Sequence, residues 1–172
     1  YISNRPQRGT MSARPVESLV SSLGRLDVPY ERTTPEAFGK TLSEHVEEPA
    51  VGVSFDDFGV SLAGLGVVID PTPAELKRSR TGVTPAAFAV ADYGSVVLPS
   101  TPDGAELVSL FVDRHVAVVR ESEVLPDMEA AFDQFGAQLR ETGGSSIIAT
   151  GPSATADMGS LVRGAHGPSD VH

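Results

Sequence analysis

The 172-residue chain contains no cysteine and no tryptophan, and only Lys40 and Lys77 among its 13 basic residues are lysine. Each absence excludes something. Without cysteine the chain forms no disulfide and offers no thiolate to zinc or to an iron–sulfur cluster, a composition that fits the cytoplasm. No apolar run reaches the roughly 20 residues of a membrane span, and no charged-then-apolar leader precedes the domain, so a soluble protein is expected. The chain has no Gly-x-Gly-x-x-Gly fingerprint and no recognisable flavin motif, so it is not expected to carry redox chemistry alone. Positive charge is scarce as well: 23 acidic residues face 13 basic ones, a net charge of −10. Nucleic acid is therefore excluded as a partner. An acidic, lysine-poor surface resembles proteins of salt-loving organisms such as halophilic archaea, because at about 1 M salt the Debye length shrinks to about 3 Å and self-repulsion is screened.

The length suits one domain able to bury roughly two thirds of its unfolded surface. Residues 1–10 are polar, lack apolar periodicity and precede Met11; they read as an expression leader or disordered arm, which leaves 11–172 as a single domain. Val16, Leu19, Val20, Leu23 and Leu26 recur at helical spacing, with Ser12 as a cap, and Phe38, Leu42 and Val46 mark a second helix behind Thr34-Pro35. Strands are expected from Ala50 to Phe55, at Val67 to Ile69, from Ser95 to Leu98, from His115 to Val119 and at Ile147 to Ala149. Asp56-Asp57 reads as a solvated turn. Helices are expected over Pro73 to Arg80, Ala86 to Ala91, Ala105 to Val112 and Pro126 to Glu141, the last with Met128, Phe132, Phe135 and Leu139 as one core stripe. Alternating strands and helices predict an α/β fold with a largely parallel sheet.

The stretch with most chemical promise runs from Ile147 to Pro168. An apolar strand stops at Gly151-Pro152, and Ser153, Thr155 and Asp157 follow where a helix is expected to begin. These residues either cap that helix or join its free N–H groups in holding an anion. Lys77, Arg78 and Arg80 are a local concentration of positive charge. They either complement the C-terminal dipole of their helix or border an anion site completed by Thr81, Gly82 and Thr84. His166 sits between two glycines where its side chain reaches a ligand or solvent. His45, His115, His166 and His172 show no metal-ligand spacing, so no metal site is expected.

Gly151-Pro-Ser-Ala-Thr-Ala-Asp157 followed by Gly164-Ala-His-Gly-Pro168 resembles the C-terminal signature of the LUD domain family, of the lactate-utilization protein C type. Thr81-Gly-Val-Thr84, leading into Ala89-Val-Ala-Asp-Tyr-Gly-Ser-Val-Val-Leu98, is similar to the family's central segment, and Arg114-His-Val-Ala-Val-Val119 to its next strand. Asp92-Tyr93 stands where glutamate and threonine are expected before Gly94. The resemblance implies a three-layer α/β/α fold like that of sugar-phosphate isomerases and coenzyme A transferases, and one more apolar strand beyond His172. It also implies a role in converting L-lactate to pyruvate beside iron–sulfur partner subunits, which would carry the clusters while this chain binds no cofactor. A small carboxylate or phosphate would then lie on Gly151, Ser153 and Thr155, with Arg163 or Arg80 adding charge and Asp157, His166 and Gly94 nearby. An independent transferase or ligase, with Asp92 as nucleophile or general base and the Gly151 loop on a phosphate, is the second reading. A protein-interaction module using the loops and Tyr93 is the third.

Overall fold

Apolar residues three and four apart form helices in this chain, and short β-branched runs between glycine and proline breaks form strands. The structure, a computed structural model, describes residues 15–157, 160–164 and 166–172; the side chains at 137–139, 141–142, 155–157 and 160–163 are outside that description. The expected leader and the Ser12 cap also lie outside the described residues. In chain order the elements are α1 (Pro15–Arg25), α2 (Phe38–Ser43), β1 (Ala50–Gly52), β2 (Val67–Ile69), α3 (Pro73–Arg78), β3 (Thr81–Pro85), β4 (Phe88–Val90) and β5 (Ser95–Pro99). They continue with α4 (Ala105–Phe111), β6 (Arg114–Val118), β7 (Val124–Leu125), α5 (Met128–Thr142), β8 (Ser146–Thr150), β9 (Ala154–Asp157), β10 (Ser160–Arg163) and β11 (Asp170–Val171).

A five-stranded sheet in the order β11-β6-β3-β1-β2 is parallel throughout. Its faces are both covered, as a parallel sheet requires. On one face α2 sends Phe38 and Leu42 against Val83 and Val116; burying side chains of this size contributes about 1.5–3 kcal/mol each. On the other, Val108 and Val112 at α4 pack with Val51 and Val53, and Leu76 of α3 joins them. This is the expected three-layer α/β/α arrangement. A reciprocal capping box starts α3: Thr72 accepts from the Glu75 N–H, and the Glu75 carboxylate accepts from the Thr72 N–H, a pairing that satisfies two orphan donors.

The fold also has a second sheet, β7-β4-β5-β8, in which only β4 and β7 run parallel. Alternation along β4 explains its position. Phe88 and Val90 face α5 with Val97 and Ala131, while Ala89 and Ala91 face Leu19 of α1. A short helix was expected over Ala86 to Ala91 behind the cap-then-proline pair Thr84-Pro85, but pairing on both edges outweighs a helix propensity of a few tenths of a kcal/mol per residue. On α5, Met128, Ala131 and Phe135 face the sheet, whereas Phe132 is 64% exposed. Phe132 therefore leaves the expected stripe, being about 100° around the helix from Ala131. The remaining pair, β9 and β10, is an antiparallel hairpin, so Ser153 precedes a strand and not the expected helix.

Candidate functional site

Between the two sheets lies a cleft of about 540 Å³, with α1 and β8 on one side and α2, β6 and β11 on the other. Its walls are mostly apolar, and the polar groups gather at the loops. Gly151 turns the chain out of β8 with a φ of 65°, a left-handed conformation that suits glycine. The Ser153 N–H donates to the Pro168 carbonyl at 2.8 Å, and the Gly164 N–H donates to the Ser153 carbonyl at 2.9 Å. Two bonds thus clamp the Gly151 loop to the Gly164 loop. They also engage the Ser153 N–H, which was expected to face an anion, so that donor is not free for a ligand.

Gly94, Gly151, Ser153 and His166 all line the cleft. Gly94, however, answers a packing need: its φ is 69°, and a Cβ there would stand 2.9 Å from Leu26 and 3.1 Å from Ser22 of α1. Lys77, Arg80, Thr81, Gly82, Thr84 and Asp92 are not part of the cleft lining. Thr81, Gly82 and Thr84 lie within β3, a central buried strand, because Val83 and the threonines suit a sheet interior. The Thr81 hydroxyl donates to the Glu47 carbonyl and accepts from the Glu47 N–H, which pins the approach to β1. Gly82 is small so that α4 can sit close: a Cβ would meet the Val108 carbonyl oxygen at 2.7 Å. Lys77 and Arg80 are exposed, and Arg80 pairs with Glu47 at 3.7 Å. Asp92 is exposed; its carbonyl, not its carboxylate, is engaged, accepting from Arg25 at 2.9 Å. Thr155, Asp157 and Arg163 have backbone positions in the β9–β10 hairpin, and their side chains lie outside the described residues.

At the mouth of the cleft the fold assembles a cluster that spacing did not reveal. His45 Nε2 is 2.9 Å from Glu31 Oε2, and the His45 ring stacks on His172 with centroids 3.7 Å apart. Strand alternation turns His172 to the α2 face of the sheet while its neighbour Val171 sits beside His115. Burial lowers the pKa of His172, and the neighbouring His45 lowers it further. Arg114 is close by, held by Glu47 at 3.0 Å and Asp170 at 2.6 Å, so its charge is already compensated.

On the opposite face of β6, His115 is buried with Thr84, whose hydroxyl lies 2.8 Å from Nε2. Burial pushes its pKa down to about 4, because a charged imidazole away from water lacks solvation. His115 is therefore neutral at neutral pH. Among the described residues no buried side-chain nitrogen or oxygen lacks a hydrogen-bond partner.

Residues 72–172 match the LUD domain family. The chain belongs to that family. Lactate utilization protein C of Deinococcus radiodurans is 35% identical over 111 residues, covering 61% of this chain and 51% of that protein. Lactate utilization protein C of Macrococcus caseolyticus is 28% identical over an aligned stretch covering 95% of this chain and 80% of its own length. The chain thus spans about half the length of the first of these relatives. A crystal structure of a DUF162 family protein from Deinococcus radiodurans superposes with a TM-score of 0.74 at 20% identity, covering 94% of this chain and 96% of the other; the fold is shared. No helix among the described residues of this LUD domain is long and apolar enough to cross a membrane. The matched segment contains the Gly151 and Gly164 loops, whereas Glu31 and His45 precede it.

Proposed function

We propose that this LUD domain is a cytoplasmic subunit of an L-lactate utilization system that oxidises lactate to pyruvate. In this reading it holds a small carboxylate in the cleft and assembles with iron–sulfur subunits that carry the electrons. The relatives named lactate utilization protein C are the observation that carries the proposal. The cleft supports a ligand role, since Ser153 and His166 come to it from two clamped loops and give an anion polar partners in an apolar setting. Composition supports this division of labour, because a chain without cysteine has no thiolates for a cluster. Assembly is supported by α4, where Leu107, Leu110 and Phe111 leave an apolar stripe in water. The alternative transferase reading asks for a buried carboxylate beside donors, and the exposed Asp92 does not supply one.

Calorimetric titration of L-lactate, pyruvate, ATP and coenzyme A into the protein in high salt tests the proposal. Saturable lactate or pyruvate binding that Ser153→Ala weakens is the expected result. Nucleotide or coenzyme A binding in place of lactate would transfer support to the transferase, and binding of none would leave only the assembly role.

A further inference from the structure

We propose that Glu31, His45 and His172 form a binding site for one divalent transition cation of the zinc class at the mouth of the cleft. Three donors come from three separate parts of the fold: the segment before α2, the segment after it, and the strand end beyond β11. One ligand atom from each lies within 4.8 Å of the other two. Donors around a tetrahedral zinc ion stand about 3.4 Å apart for bonds of roughly 2.1 Å, so an ion draws the three donors together and swings the two stacked rings apart until their in-plane lone pairs converge. Two imidazoles and one carboxylate are a donor set that borderline cations accept.

The chemistry of the cluster favours a cation over a plain ion pair. Glu31 and His45 alone form a sufficient hydrogen bond at 2.9 Å. A second imidazole stacked at 3.7 Å adds nothing to that bond and would repel His45 if both were protonated. Neutral imidazoles are the form that binds metal. A cation entering between Glu31 Oε2 and His45 Nε2 replaces the hydrogen bond, and the imidazole proton moves to Nδ1. The charged groups acting on His172 are Glu31 and Asp170 on the acidic side and Arg114 on the basic side, with Arg114 paired to Glu47 and Asp170. All three proposed ligands line the cleft. Three protein donors leave a coordination position open to water or to an anionic oxygen from the cleft, the arrangement of catalytic and not of structural zinc sites.

The test is direct binding of Zn²⁺ and Co²⁺ to the untagged, full chain, by calorimetry and by the visible ligand-field absorption of Co²⁺. The expected result is saturable binding at one ion per chain, with a tetrahedral Co²⁺ spectrum. Loss of a group that merely orients a metal ligand costs about 10- to 100-fold in affinity, so His45→Ala and His172→Ala should each cost about 100-fold or more. Glu31→Gln keeps the side-chain size and a hydrogen bond to His45, and so separates loss of a ligand from loss of fold; it should also weaken the ion. Asp103→Asn, an exposed carboxylate outside the cleft lining, should leave affinity unchanged. No saturable binding by the folded chain, or binding that survives all three ligand substitutions, overturns the proposal.

Discussion

Acid should unfold this protein through His115 before its carboxylates titrate. The imidazole is 2% exposed and bonded to Thr84, and burial holds its pKa at about 4 against 6.5 when free. Between those two values the unfolded chain takes up a proton that the native chain refuses. Stability is therefore undiminished above about pH 6.5 and falls as the pH drops towards 4, at about 1.4 kcal/mol per unit. The full difference amounts to about 3 kcal/mol, and about 2 kcal/mol is lost by pH 5. Urea unfolding of the native chain and of His115→Gln between about pH 7 and 5 measures it, since the variant lacks the titration and retains every other one. The native chain should lose about 2 kcal/mol more than the variant over that range. Parallel pH dependences, or an NMR titration of His115 near its free value, would refute the reasoning.

Gly82→Ala should destabilise by about 1–3 kcal/mol, because the added methyl meets a backbone carbonyl of α4 at 2.7 Å, which cannot rotate aside; a thermal transition within 1 °C or so of the native one would contradict this. The buried Ser22 hydroxyl donates to the Ala91 carbonyl at 2.6 Å, so Ser22→Ala should cost about 1–3 kcal/mol, read as a fall of about 2–4 °C in melting temperature per kcal/mol. A net charge of −10 predicts that the urea midpoint rises as salt increases from about 0.1 to 1 M; a flat or falling midpoint would show that self-repulsion is not a significant term.

Local patterning determined much of the fold. Val16, Leu19 and Leu23 give α1 its buried face, Thr72 and Glu75 start α3, and the β-branched run after Arg114 becomes a strand inside the parallel sheet, because each signal lies within one or two turns or one strand. The glycine-punctuated loops were legible too, as was the family they resemble. Tertiary structure decided the rest. Phe88, Ala89 and Val90 form a strand because β5 and β7 offer hydrogen bonds on both edges and α1 packs close above the small Ala89 and, just past the strand, Ala91. Thr81 and Thr84 bond to neighbouring segments and Gly82 makes room for α4, contacts invisible until Glu47, His115 and Val108 are placed beside them. Glu31, His45 and His172 have no spacing that a motif could encode, since they meet only when β11 pairs with β6 and brings the far end of the chain beneath α2. Sequence specifies what each segment tends to form within a few residues; contact between residues distant in the chain depends on chain pairing and packing, and that is where the Glu31, His45 and His172 cluster is assembled.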